Sequence, residues 1–129
     1  MSEAHNRQAV ERLFAGINAK NVAVMDEVMA DDSVMVYPQS GETIRGAANR
    51  RAVYAATPNL PTINPYRMIA SGEIVVAEAI LDYSGDRHST VFIFEFRDAR
   101  IARETVYWSK PFSPAQSRSA WVEIEKPGT

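Results

Sequence analysis

The stretch "FRDARIARETVYWSKPF", Phe96 to Phe112, decides how the rest of the chain is read. Ile101 to Tyr107 alternates in the manner of a β-strand, where successive side chains point to opposite faces. Charge nevertheless falls on both parities, with Arg103 on one and Glu104 on the other. The run passes through Tyr107-Trp108 and stops at Lys110-Pro111-Phe112. If one face of this strand turns to the interior, one of the two charges goes inside. Upstream lie three more strand-like runs, Tyr66–Ser71, Ile74–Tyr83 and His88–Arg97. Ser71-Gly72-Glu73, Ser84-Gly85-Asp86 and Asp98-Ala99-Arg100 separate them. Connections this short join antiparallel neighbours, because a parallel crossover needs a dozen or more residues. The second half is a meander.

The first half reads differently. Ser2 is a helix-capping residue, and Val10, Leu13, Phe14 and Ile17 follow at one-face helical spacing, predicting a helix to about Lys20. Asn21 is a second capping candidate before a short stripe of Val22, Met25, Val28 and Met29, which Asp31-Asp32-Ser33 ends. Val34 to Tyr37 reads as a strand closed by Pro38, and Glu42 to Arg45 as a brief one. A third helix spans about Ala47 to Ala56, and Pro58, Pro61 and Pro65 mark an extended connection. Helices first and a meander after predict an α+β fold with the helices on one face of a sheet. Residues 1–129 form one domain, of which 113–129 are a Ser-, Pro- and Ala-rich tail that docks through Trp121, Val122 and Ile124.

Composition narrows the function. The chain of 129 residues is 46% hydrophobic and 23% charged, with a net charge of −2, which gives no electrostatic pull toward nucleic acid or an anionic membrane. There is no cysteine, so disulfides, thiolate metal ligands and a cysteine nucleophile are out. The polar start MSEAHNRQ is no signal peptide, and no apolar run reaches the roughly 18 residues of a membrane span. The expectation is a cytoplasmic protein.

In His88–Arg97, Phe92, Phe94 and Phe96 share one parity while Val91 and Ile93 share the other. A sheet with one wet face alternates apolar with polar. Helices cover one face only, so a second copy of the chain is expected on the other, as a homodimer.

"ADDSVMVYP", "GETIRGAANRRAVY" and "FIFEFRDARIARETVYWSKPF", in that order and spacing, resemble the SnoaL-like branch of the nuclear-transport-factor-2-like superfamily over nearly the whole chain. The resemblance implies a cone-shaped α+β barrel. Three N-terminal helices pack on a strongly curved, mostly antiparallel sheet whose open end holds a small, mostly apolar molecule. Members include polyketide cyclases, ketosteroid isomerases, limonene-epoxide hydrolases and scytalone dehydratases, so the fold does not settle the activity. In the isomerases a similar Tyr-Trp pair points its Trp into the pocket. Carried over, Trp108 faces in with Val106 and Glu104, and His88, Thr90, Phe92 and Phe94 on the preceding strand share that face. The resemblance thus sends Glu104 inside. The isomerase machinery is missing, with Tyr37, Leu13 and Phe92 standing where two acids and a tyrosine belong. The turn Asp98-Ala99-Arg100 also departs from the family's usual Asp-Gly-Lys/Arg, and Ala tolerates positive φ poorly.

A carboxylate at Glu104 among apolar and aromatic side chains would have its pKa raised, making it a general acid or base, unless an arginine such as Arg103 or Arg87 pairs with it. His88 is a candidate partner on the same face, or else an exposed hairpin-end histidine. Glu78 faces away on this parity, and a slip of one residue would reverse that. Tyr37 and Trp108 are the favoured pocket aromatics, with Tyr54 next and Leu13 contributed by the first helix. Asp31-Asp32 lacks further ligands at metal spacing, and no phosphate loop or dinucleotide motif is present. The expected function is binding a small apolar metabolite without cofactor or metal, with acid/base chemistry such as cyclisation, isomerisation, dehydration or epoxide opening. The alternatives are a non-catalytic carrier or sensor and an interaction module using the outer sheet face.

Overall fold

The computed structural model describes residues 2–125. Helix α1, Glu3–Asn18, starts where the Ser2 hydroxyl accepts a hydrogen bond from the His5 amide at 3.0 Å, and Glu3 sits in its first turn, favourable for the helix dipole. Its buried stripe includes Val10, Leu13, Phe14 and Ile17. The chain then reverses into α2, Val24–Val28, which begins after Ala23 with no side-chain cap rather than at Asn21. Asp31-Asp32-Ser33 does not end that helix either. Strand β1, Met29–Tyr37, starts directly at Met29 and takes these residues into the sheet. Its register against the last strand shifts between Met29 and Val34, which leaves Asp31 and Asp32 exposed while Ser33 is buried.

Strand β2, Glu42–Arg45, folds back on β1, and α3, Gly46–Ala55, follows without a loop. Gly46 makes that abrupt switch possible with φ +81°, a conformation that costs a β-carbon-bearing residue energy. Next come β3 (Thr62–Ser71), β4 (Ile74–Tyr83), β5 (Asp86–Arg97) and β6 (Arg100–Ser109). The β3 strand begins before Tyr66 and contains Pro65, which had been expected in the connection. Proline is tolerated because β3 is an edge strand, and its ladder to β4 shifts between Pro65 and Arg67. The six strands run in the order β2-β1-β6-β5-β4-β3, antiparallel except for the β1–β6 pair. Asp98 and Ala99 both take positive φ, 51° and 67°, so Ala99 accepts the geometry of a two-residue hairpin despite its methyl group.

The three helices and the inner sheet face enclose one core. Phe14 meets the Phe92 and Phe94 rings at 4.9 and 5.9 Å, and Phe92 stacks on Phe94 at 5.7 Å. On the other face Val76, Val91 and Ile93 are half-buried, while Ile69 and Tyr107 are exposed. In the tail, Trp121, Val122 and Ile124 are exposed on this chain. After a short 3-10 turn at Gln116–Arg118, Trp121 is 84% exposed and Phe112 80%. Residues 126–129 of that tail lie outside the described residues. No described helix is long and apolar enough to cross a membrane.

Candidate functional site

A cavity of about 260 Å³ lies between the helices and the inner sheet face. Leu13, Phe14 and Ile17 of α1 form one wall, and Val53 and Tyr54 of α3 another. Thr57, Leu60 and Pro61 close the side where the chain leaves α3. From the sheet come Tyr37 on β1, Leu81 and Tyr83 on β4, Phe92 on β5, and Glu104, Val106 and Trp108 on β6. Strand alternation places these last three on one side, and Tyr107, on the other, is exposed. The Tyr37 and Trp108 rings meet edge to face with centroids 5.1 Å apart.

Glu104 is the one charged side chain among those lining residues. Its Cα lies opposite Met35 on β1 and Phe94 on β5, both apolar and buried. The residue is 4% exposed, and its Oε1 is buried with no hydrogen-bond partner. Burial pushes its pKa up to about 7, against a weaker opposing pull from the Arg50 guanidinium. Among the described residues no cation stands within ion-pair distance of it, and Arg103 pairs instead with Glu95 at 3.6 Å on the other face. Burial, followed by the negative charge of Glu104, raises the Tyr37 and Tyr54 hydroxyls well above the usual tyrosine range, so both are hydrogen-bonding groups rather than proton acceptors.

The structure separates several residues that the sequence grouped. His88 shares a face with Phe94, the partner of Glu104, but stands six positions along β5, roughly 20 Å away at about 3.3 Å per residue. It does not line the cavity and forms no pair with Glu104; its Nε2 meets Asp86 at 3.3 Å and its ring lies 5.0 Å from that of Tyr83. Thr90 and Phe94 are buried off the cavity, the Thr90 hydroxyl donating to the His88 carbonyl at 3.1 Å and Phe94 packed in the core. Tyr37, Trp108, Val106, Phe92, Leu13 and Tyr54 are brought together around the same space. Glu78 lies on the opposite sheet face and is clasped by Arg67 and Tyr66.

Sequence reasoning missed Arg50. It is 2% exposed, donating from Nη1 to Ser33 Oγ and from Nη2 to Asp26 Oδ1, both at 2.8 Å. Those bonds, and a second set from Arg51, hold Asp26 below the usual carboxylate range. One signal was available. Ala47, Arg50 and Tyr54 recur at helical spacing on one stripe of α3, so the arginine occupies an inward position. Among the described residues no group of three or more histidines and carboxylates could hold a metal ion.

Three helices on a mostly antiparallel six-stranded sheet, with an apolar cavity between them, define the nuclear-transport-factor-2-like class of fold. Residues 10–104 match the SnoaL-like domain, and the chain belongs to that family. It is similar to an NTF2-like protein of unknown function from Burkholderia xenovorans, at 31% identity over 96% of this chain and 98% of that one, with a TM-score of 0.83. A protein from Kribbella flavida, provisionally assigned as a ketosteroid isomerase, shares the fold at 22% identity and TM-score 0.88, covering 97% and 93% of the two chains. IdmH from Streptomyces antibioticus, provisionally assigned as a polyketide cyclase, does so at 15% and 0.67, covering 80% and 91%. No curated protein matches the chain by sequence.

Proposed function

We propose that this chain binds a small, mostly apolar and uncharged molecule in a cone-shaped pocket, and that Glu104 exchanges a proton with it. The observation that carries this reading is a buried carboxyl with an unpartnered oxygen on the wall of an otherwise apolar cavity. A group whose pKa lies near 7 is available as acid and as base at neutral pH, the condition that general acid–base catalysis favours. Cyclisation, isomerisation, dehydration and epoxide opening all need that transfer and no redox step. Tyr37, Tyr54 and Trp108 supply aromatic surface and one polar tip each, so they orient the ligand while Glu104 acts on it.

The test begins with native mass spectrometry of the protein purified from its own host, to identify what occupies the cavity. Binding of that molecule can be followed through the indole emission of Trp108. Glu104→Gln should bind it with nearly unchanged affinity and lose conversion by about 10²–10⁴-fold, the usual worth of a positioned acid or base. A wild-type protein that binds but never converts its ligand would make this chain a carrier.

The outer sheet face supports a second reading, of assembly. Val91 and Ile93 are half-buried there, and Ile69 and Tyr107 are exposed, in a patch of the kind that marks an interface. We propose that a second copy covers it. Sedimentation at micromolar concentration should show a dimer, and Val91→Glu should shift it to monomer while the cavity still binds ligand. A wild-type chain that sediments as a monomer throughout would dismiss the idea.

A further inference from the structure

On α3, Tyr54 reaches the cavity and Arg50 lies one turn earlier on the same stripe, so Arg50 stands behind the wall that Tyr54 faces. One of its anchors, Ser33, is two residues before Met35 on β1, and the Met35 Cα is opposite that of Glu104. The Nε–H of Arg50 is buried with no partner, and so is Oε1 of Glu104. Arginine keeps its charge inside proteins, so burying one demands anions nearby. Asp26 is the first of these, and it is shared: Arg51 also reaches it, at 3.2 Å, and its side chain is 42% exposed. Glu104, when ionised, is the second.

We propose that Arg50 is a positioning residue for the Glu104 proton, its charge divided between Asp26 behind it and Glu104 in front. This rests on the reading of Glu104 given above. The division works as a balance. With the full charge of Arg50 turned inward, Glu104 would stay a carboxylate and lose its use as an acid. With no cation behind the wall, burial alone would keep it protonated and useless as a base. Asp26, half in solvent, draws off part of the charge and leaves both forms within reach.

The other groups facing the carboxyl do not compete for this role. Tyr37 from β1, Tyr54 from α3 and Tyr83 from β4 have hydroxyls raised above the usual range, chiefly by burial. Phe92 and Phe94 on β5 and Leu13 and Phe14 on α1 carry no charge.

The test is the side-chain carboxyl titration of Glu104, followed by NMR in the full chain and in two variants. Arg50→Gln removes the cation, and the Glu104 midpoint should rise by about one pH unit, a tenfold tighter hold on the proton. Asp26→Asn removes the anion that shares Arg50, and the midpoint should fall. A purely architectural role predicts lower melting temperatures with the midpoint unmoved, and that result overturns the proposal while leaving Glu104 as the acting group. A Glu104 midpoint in the wild type at the ordinary glutamate value would remove the proposed function, and this proposal with it. If Arg50→Gln does not fold, Asp26→Asn decides alone, since its side chain is partly in solvent. There a fall in the midpoint supports the balance, and no change or a rise overturns it.

Discussion

Glu104→Gln is expected to be more stable than the wild type at pH 8, by about 3 kcal/mol, and to show almost no difference at pH 4. The sign follows from where the proton is held more tightly. In the folded chain the carboxyl titrates at about 7, against an ordinary value of 4.5 in the unfolded one. Between those values the unfolded chain releases its proton and the folded chain keeps it, so wild-type stability falls as pH rises through this window. Above about 7 both forms are ionised and the loss is complete. Each pH unit between the two values is worth about 1.4 kcal/mol, which sets the size of the plateau. The glutamine never ionises and escapes the loss. Urea denaturation of both proteins at half-unit steps from pH 4 to pH 8.5 checks this. Parallel stability curves would mean that the carboxyl titrates in the folded chain as it does in the unfolded one, and a wild type that gains on the variant as pH rises would mean that a cation clasps it.

Phe94→Ala should cost about 3–5 kcal/mol, the range for deleting a large ring from a well-packed core. Phe94 is wholly buried, stacks on Phe92 and packs against Phe14, and lies across the ladder from Glu104. The loss should therefore reach beyond stability. Space opened beside Glu104 admits water, and a rehydrated carboxyl moves back toward the ordinary glutamate range. Denaturation gives the first quantity and carboxyl titration the second. A cost below 1 kcal/mol would show that neighbouring side chains collapse into the gap, and the Glu104 midpoint should then stay where it is.

The strands after Tyr66 were legible because period-two alternation and glycine- or aspartate-bearing turns act over a few residues. The bounds of β4 were readable to the residue for that reason. Met29 and Ala30 were not, since two consecutive apolar residues after a helical stripe continue either pattern. Pro65 was misread because whether a strand lies at a sheet edge is a property of the whole sheet. For the cavity, parity placed Glu104, Val106 and Trp108 on one face but said nothing about position along it. That gap is what separated His88, Thr90 and Phe94 from the cavity. Arg50 stayed hidden because its partners, Asp26 and Ser33, are distant in sequence and reach it only once α3 packs on β1.

The parallel pairing of β1 with β6 joins Val34 to Arg103, 69 positions further along the chain. As the polypeptide is synthesised, the helices and β1 emerge first and must wait for the last strand before β1 gains its second neighbour. Until then the apolar stripes of α1 and α2 have no complete sheet to cover. Contacts so remote in sequence slow folding and prolong the exposure of sticky surface. The same late strand delivers Glu104, so the acid reaches its apolar surroundings only as the final ladder closes.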